Sequence, residues 1–355
     1  MSPEPHLHEA AAIATPSQPA TLKPSGRRRR DVLWDLFAPE PTVKAAPALW
    51  VRLVIASAAA VLAGLLADHP LSEDFSQIWV ASRTLLEGGD PYALIGPNRP
   101  HSYPFPYYYP GTAAVSVLPL AALPVRFARI MFAAGGAAVF ALMLTRSGWS
   151  RLPWLASYAF LSCLYVSQWT TWVAAAGVYP VLGFVLAAKP NAGIAALATL
   201  RSLRALVGVG TGCLVVALFA LALDPDWPLR WLETTQSAPH IRSLLFVHPA
   251  GVILLASLIR WRRPEARALA ALAIVPHNPL PHNFLLLAVG RWTAIESSVL
   301  AALSWVTVAV IWPGGRQSPD FTSLSETSGR ACLFLLYLPA LLMMLRKPNS
   351  DEARA

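Results

Sequence analysis

Residues 48–67 read ALWVRLVIASAAAVLAGLLA, and this stretch decides the fold class. At about 1.5 Å of helical rise per residue, an apolar run of about 20 residues crosses the ~30 Å hydrocarbon core of a bilayer. Upstream stands Arg27-Arg28-Arg29-Arg30. Basic residues before a span hold its N-terminus in the cytoplasm. An arginine run followed by apolar residues also mimics a signal peptide, but no convincing small-residue cleavage site follows, so the stretch is expected to be an uncleaved first span.

The rest of the chain has the same character. Over 355 residues, 55% are hydrophobic and only 13% charged, with a mean hydropathy of +0.48. Apolar content this high and this blocky excludes a soluble fold and predicts an all-α, polytopic helical membrane protein. The formal charge of +9 comes from short basic clusters beside apolar runs, as cytoplasmic loops require. No basic face or recognition motif accompanies it, which argues against nucleic acid as a partner and for the lipid bilayer. Cys163, Cys213 and Cys332 lie within apolar runs without metal-ligand spacing, so they read as small core residues.

Outward from the first span, residues 1–47 have a Pro-, Ala- and His-rich composition that predicts a disordered cytoplasmic tail. Residues 48–346 form the membrane-embedded domain, and 347–355 a short second cytoplasmic tail. The loop 68–110 falls on the outer face and holds five acidic residues against Arg83 and Arg99. Within it, Phe75, Ile78, Trp79, Ser82, Leu85 and Leu86 recur at helical spacing, while Gln77, Arg83, Thr84 and Glu87 point elsewhere. The pattern predicts a helix on the membrane surface, stopped by Gly88-Gly89 and turned by Asp90-Pro91. Further spans are expected at 107–124, 130–145, 152–169, 171–188, 205–223, 243–259, 294–312 and 330–345. Two apolar pieces, Asn191 to Leu200 and the halves flanking Pro276 to Asn283, cover only half a bilayer at about 10 residues each. Broken or re-entrant helices follow, because irregular backbone at that depth survives only inside protein or beside a wet cavity. The count comes to about 8–10 spans.

Several polar residues admit two readings. Asp74 either caps the loop helix, since Asp74-Phe75-Ser76-Gln77 fits a capping box, or is a general base at the membrane surface. Glu73 is either a solvated acid or the base in its place. Lys189 either snorkels to headgroups or meets a phosphate at a cavity mouth, where a helix starting at Pro190 aims its amides at an anion. His277 and His282, five apart, suggest a metal pair. Pro279 and Pro281 deny them a shared helix face, and cavity-lining hydrogen bonding, with Asn278 and Asn283, is the other reading. Tyr103, Tyr107, Tyr108 and Tyr109 form either an interfacial belt or, stiffened by the prolines among them, a wall for stacking a sugar ring. A second polar loop holds Asp224, Asp226, Glu233, His240 and Arg242 around Trp227, Trp231 and Leu232, as an acceptor-binding segment or a solvated one.

The run Asp74-Phe75, Trp79, Leu86-Glu87-Gly88-Gly89-Asp90-Pro91-Tyr92, Tyr103-Pro104, Tyr109-Pro110 and Leu118-Pro119-Leu120-Ala121-Ala122-Leu123-Pro124 resembles the N-terminal third of glycosyltransferase family 87. Looser matches run from Ser167-Gln168-Trp169 to Lys189-Pro190-Asn191, and from Trp261-Arg262-Arg263-Pro264-Glu265-Ala266-Arg267 to Pro276. Where the family usually has a glycine before the glutamine, Ser167 stands here. These are C-type enzymes that use polyprenyl-phosphate sugars, often mannose. The resemblance implies a transferase bundle moving a sugar from a polyprenyl-phosphate donor to a hydroxyl of a glycolipid or glycan acceptor on the outer face of the plasma membrane. Asp74 would be its base, and Lys189 would face the departing phosphate together with Arg83 and His101. Glu73, Tyr103, Tyr107, Tyr109, His277 and His282 would line the sugar and acceptor. No nucleotide, cofactor or metal is called for. The rival expectation is a transporter or flippase for a lipid-linked sugar, since broken helices and buried polar residues suit that as well. A third is an inactive scaffold.

Overall fold

The structure is a computed structural model, and it describes residues 46–68, 73–238, 242–276, 281–315 and 321–349. The expected N-terminal tail lies almost wholly outside these residues, as does most of the C-terminal one. The described chain is helical apart from a two-residue parallel pairing of Ile95–Gly96 with His101–Ser102. Five helices are long and apolar enough to cross a membrane: Leu49–Ala67, Val125–Thr145, Leu203–Leu223, Ala294–Trp312 and Ser325–Leu345. The chain is thus an all-α, polytopic membrane protein.

The first two long helices pack antiparallel. Ala56, Ala59, Ala63 and Ala67 make a buried stripe at helical spacing along Leu49–Ala67, while Leu53, Val54, Val61 and Leu65 on its other side are exposed. Small residues let two backbones approach closely where water gives no hydrophobic drive, and the large ones face lipid. At one end Arg126 grips Asp68 with both contacts at 2.6 Å. At the other, Arg52 reaches Thr145 Oγ1 at 3.3 Å and the Leu142 carbonyl at 3.0 Å.

That pairing corrects the expected second span. Residues 107–124 do not cross: they form two short helices, Gly111–Ser116 and Leu118–Ala121, and return to the end they left, where Val125–Thr145 starts beside Asp68. Pro119 and the preceding turn break the run. An apolar dip into the bundle and an apolar crossing have the same composition, which is why the sequence alone reads as a span.

The expected spans at 152–169 and 171–188 are also broken. The chain shuttles in half-length pieces between the middle of the bundle and the Arg52 end. Leu152–Ala156 and Tyr158–Tyr165 lead to Gln168; Thr170–Ala176 leads back to Val178, whose carbonyl accepts from Arg146 at 3.4 Å. Pro180–Leu182 and Phe184–Ala188 climb to Lys189, and Pro190–Leu197 descends to Leu200, whose carbonyl accepts from Arg267 at 3.1 Å. Prolines at helix starts and close-packed glycines set these breaks. At Gly183 a Cβ would lie 2.4 Å from Val209 Cα, so the shuttle presses against Leu203–Leu223 backbone to backbone. Residues expected to span at 243–259 form a short helix, Leu244–Val247, and a 3₁₀ run, Pro249–Arg260. The pieces flanking the Pro/His/Asn segment, Pro264–Ile274 and Pro281–Val289, are short as expected.

The loop helix Glu73–Leu86 forms, and Gly88, at a φ of +75°, closes it. Its expected faces do not hold. Gln77 and Thr84 are buried, Gln77 donating to the Phe105 carbonyl at 2.8 Å, and Leu86 is 60% exposed. The helix is covered by the Pro/Tyr segment and the dip rather than lying open on one side.

Charge separates along the bundle. Arg52, Arg146, Arg151 and Arg267 bond to groups at the Thr145–Val178–Leu200 end, and Val289, the acceptor of Arg151 at 3.4 Å, is there too. Asp68, Asp90, Asp224 and Asp226 lie at the opposite end, paired with Arg126 and Arg230.

Candidate functional site

Two helix ends and one joint build the centre. After Tyr158–Tyr165 the Ser167 N–H donates to the Leu164 carbonyl at 3.0 Å and the Gln168 N–H to the Cys163 carbonyl at 2.9 Å. This is a Schellman closure, whose turning residue is left-handed and favours glycine. Ser167 occupies it at a φ of +51°. The same pair of bonds closes the loop helix, from Gly88 to Leu85 at 3.1 Å and from Gly89 to Thr84 at 2.8 Å. The Ser167 turn aims Gln168 into the bundle, where it is buried.

Lys189 sits at a joint. A residue before proline is pushed out of the helical region, and Lys189, at φ −138° and ψ 74°, ends Phe184–Ala188 just before Pro190 begins the next helix. The reversal is tight: a Cβ on Gly193 would lie 2.6 Å from the Leu186 carbonyl oxygen. Lys189 Nζ then donates to Gln168 Oε1 at 2.6 Å. Gln168 Nε2 donates to Asp74 Oδ2. An amide has one acceptor end and one donor end. Only this orientation lets Gln168 serve both the cation and the anion, so the charges fix its flip.

Asp74 lies inside the first turn of Glu73–Leu86, one residue past its start, where the positive end of the helix favours an ionised carboxylate. It is therefore not at the cap position that the capping box implies. The Tyr109 hydroxyl bonds to both Asp74 and Gln168; burial, and then the Asp74 charge, push its pKa well above the ordinary tyrosine range, so it stays protonated. Asp74, Tyr109 and Lys189 are each only half-buried. Three of the four members thus keep some exposed surface while Gln168 is enclosed.

Phe75 stacks on Phe132 at 4.7 Å, and Phe132 meets the edge of Trp169 at 4.8 Å. Phe132 is seven residues into Val125–Thr145, so the centre lies about 10 Å below the Asp68–Arg126 end at 1.5 Å per residue.

The other expected site residues are dispersed. Arg83 is nine positions beyond Asp74 on the same helix, half a turn around and about 13 Å along. It reaches Glu87 at 3.5 Å and the Ala121 carbonyl at 3.4 Å, and lies over Trp79 at 5.5 Å. His101 is exposed on the short strand. Tyr107 is fully buried between Tyr92 at 5.4 Å and Tyr109 at 6.0 Å. Tyr103 is half-buried. His282 and Asn283 are buried, and Thr170 Oγ1 donates to Asn283 Oδ1 at 3.5 Å, two residues from Gln168. His277 lies outside the described residues, as does the side chain of Glu73. Among the described residues no group of three His, Cys, Asp or Glu side chains could hold a metal ion.

Two features went unread in the sequence. Gln168 joins the centre, and its signal was a long amide in an apolar region, where a polar side chain needs a partner. Arg230, on the helix Trp227–Gln236, meets Asp90 at 3.4 Å, Asp224 at 3.2 Å and Asp226 at 3.1 Å. With Trp231 Nε1 donating to the Tyr108 carbonyl at 2.9 Å, this clamp ties the second polar loop to the first.

No family model, curated protein or solved structure matches the chain.

Proposed function

We propose that the chain is a membrane glycosyltransferase similar to family 87, moving a sugar such as mannose from a polyprenyl-phosphate donor to the hydroxyl of a glycolipid or glycan acceptor. The single observation that carries this reading is the line Asp74–Gln168–Lys189, a carboxylate and an ammonium joined through one amide beside a half-open surface. Sugar transfer from a lipid phosphate needs those two charges a few ångströms apart.

In the proposed step the acceptor oxygen attacks the anomeric carbon, with inversion, as the bond to the phosphate oxygen breaks. The acceptor's proton passes to Asp74, and the phosphodiester leaves as a polyprenyl-phosphate dianion. Lys189 neutralises the added charge: an ammonium has three donors and Gln168 uses one. Gln168 fixes the separation of the two groups, and Tyr109 keeps Asp74 directed at the opening. Arg83 and His101 have no part in this arrangement, and of the tyrosine cluster Tyr109 is bonded to the centre.

The basic end belongs in the cytoplasm by the positive-inside rule, which turns the Asp74 end outward and sets the N-terminus inside. The test is to incubate the purified protein with labelled polyprenyl-phosphate mannose and a panel of glycan and glycolipid acceptors. Labelled acceptor together with released polyprenyl phosphate supports the reading. Transbilayer movement of intact donor in vesicles, without transfer to any acceptor, overturns it.

A further inference from the structure

Arg129 lies on the wrong face of its helix for an ordinary arginine. On Val125–Thr145 it shares a buried stripe with Phe132, Ala133, Gly136 and Phe140, while Phe127 and Met131 on the opposite side are exposed. A snorkelling arginine carries its head to water; Arg129 is only 7% exposed. Its Nε meets no hydrogen-bond partner, and among the described residues the side chain makes no ion pair. The carboxylate whose charge reaches it, Asp68, is gripped by Arg126 with both contacts at 2.6 Å, a pair that brings Arg129 little net charge. An enclosed cation without a partner is costly in any fold.

A second unpartnered donor stands on another element nearby. Phe132 is three residues beyond Arg129, about 4.5 Å along the helix and on the same face. Its ring lies 4.7 Å from Phe75, the neighbour of Asp74, and 4.8 Å from Trp169, the neighbour of Gln168. Trp169 is 2% exposed, and its Nε1 has no hydrogen-bond partner either. Trp172, one turn later, does have one, donating to the Phe132 carbonyl at 3.0 Å. A guanidinium and an indole N–H thus flank one ring at the edge of the Asp74 centre. Both groups can donate and neither can accept.

We propose that Arg129 and Trp169 bind the phosphate of a lipid substrate, on the side of the centre that faces the Asp68–Arg126 end. A donor-only pair with one permanent positive charge calls for an acceptor-only anion, and the guanidinium fork matches phosphate oxygens. The phosphate belongs to the polyprenyl-phosphate donor or to a phosphate-bearing acceptor. That this lipid is a substrate rests on the transfer reading; that Arg129 takes a phosphate does not.

The test uses the full chain in neutral detergent. Thermal melting is followed against citronellyl phosphate, which is a short polyprenyl-type phosphate, and against short-chain phosphatidylglycerol and phosphatidylcholine. Arg129→Met keeps an unbranched side chain and removes the charge, and Trp169→Phe keeps a ring against Phe132 and removes the N–H. Without lipid, Arg129→Met is expected to melt at or above wild type, because an apolar chain replaces an enclosed cation. The lipid that raises the wild-type midpoint is expected to bind about tenfold more weakly to each variant, as loss of a charge-assisted hydrogen bond requires. A rise with citronellyl phosphate assigns the phosphate to the donor, and a rise with phosphatidylglycerol alone assigns it to the acceptor. No rise, one matched by phosphatidylcholine, one equal in wild type and Arg129→Met, or an Arg129→Met protein that melts lower or fails to fold without lipid overturns the proposal. Absent sugar transfer with the phosphate-dependent rise intact would instead overturn the transfer reading and leave the site standing.

Discussion

Lys189 Nζ lies 2.6 Å from Gln168 Oε1, and the other end of the same amide holds Asp74. One neutral side chain thus couples a cation from the joint at Pro190 to an anion from the outer loop. Neither charge is at home in an apolar bundle without that partner. Replacing Gln168 by Leu is expected to leave both half-buried groups short of a hydrogen bond, at about 1–3 kcal/mol. A lower thermal midpoint together with lost sugar transfer is the expected outcome. Unchanged values for both would show that the bridge holds nothing.

Ser167 turns the chain where glycine is favoured, at a φ of +51°. Because the equivalent turn at Gly88 carries the same two closing bonds without a Cβ, Ser167→Gly is expected to relieve about 1 kcal/mol of backbone strain. The variant should melt higher than wild type and retain Gln168 in place. A fall of similar size would mean that the Ser167 hydroxyl contributes more than its backbone costs.

At Gly183 the demand is the reverse. A Cβ there meets Val209 Cα at 2.4 Å and the Val209 carbonyl oxygen at 2.9 Å. Backbone on a long helix cannot yield as a flexible side chain can, so Gly183→Ala is expected to cost about 2–3 kcal/mol. Gly210, with open space around its Cβ position, is the control: Gly210→Ala should leave the melting temperature unchanged or raised.

Arg230 holds Asp90 against Asp224 and Asp226. The arginine is one-third exposed but Asp224 is nearly buried, so removing the cation leaves a desolvated carboxylate among like charges. After solvent screening the expected cost of Arg230→Met is about 1 kcal/mol. The more telling readout is limited proteolysis, with cleavage between residues 87 and 110 expected several-fold faster. Cleavage at the wild-type rate would mean that Trp231 alone ties the two loops.

Much of this was legible from residue order, and the remainder has definite causes. The run at 48–67, the Gly88 stop and the break at Lys189-Pro190 are local, set by apolar length, a left-handed turn and the restriction before proline. Asp74 and Lys189 stood out as charges beside apolar runs, and the structure brings them together through Gln168. Arg83 stands nine helical residues beyond Asp74, a spacing that turns its side chain to the opposite face. What the sequence hid was non-local. Residues 107–124 dip and return with the composition of a crossing, and Gln77 and Thr84 are buried because the Pro/Tyr segment folds over them. Arg230 pairs with Asp90 across about 140 residues of chain, which no local pattern marks.

The most direct trial of the central claim is the rate of sugar transfer by purified Asp74→Asn protein beside wild type, with equal thermal midpoints confirmed first. Asparagine can still accept from Gln168 and keep the fold, but it takes up no proton. At least a hundredfold loss of transfer with intact folding is the predicted result; transfer at the wild-type rate would contradict it.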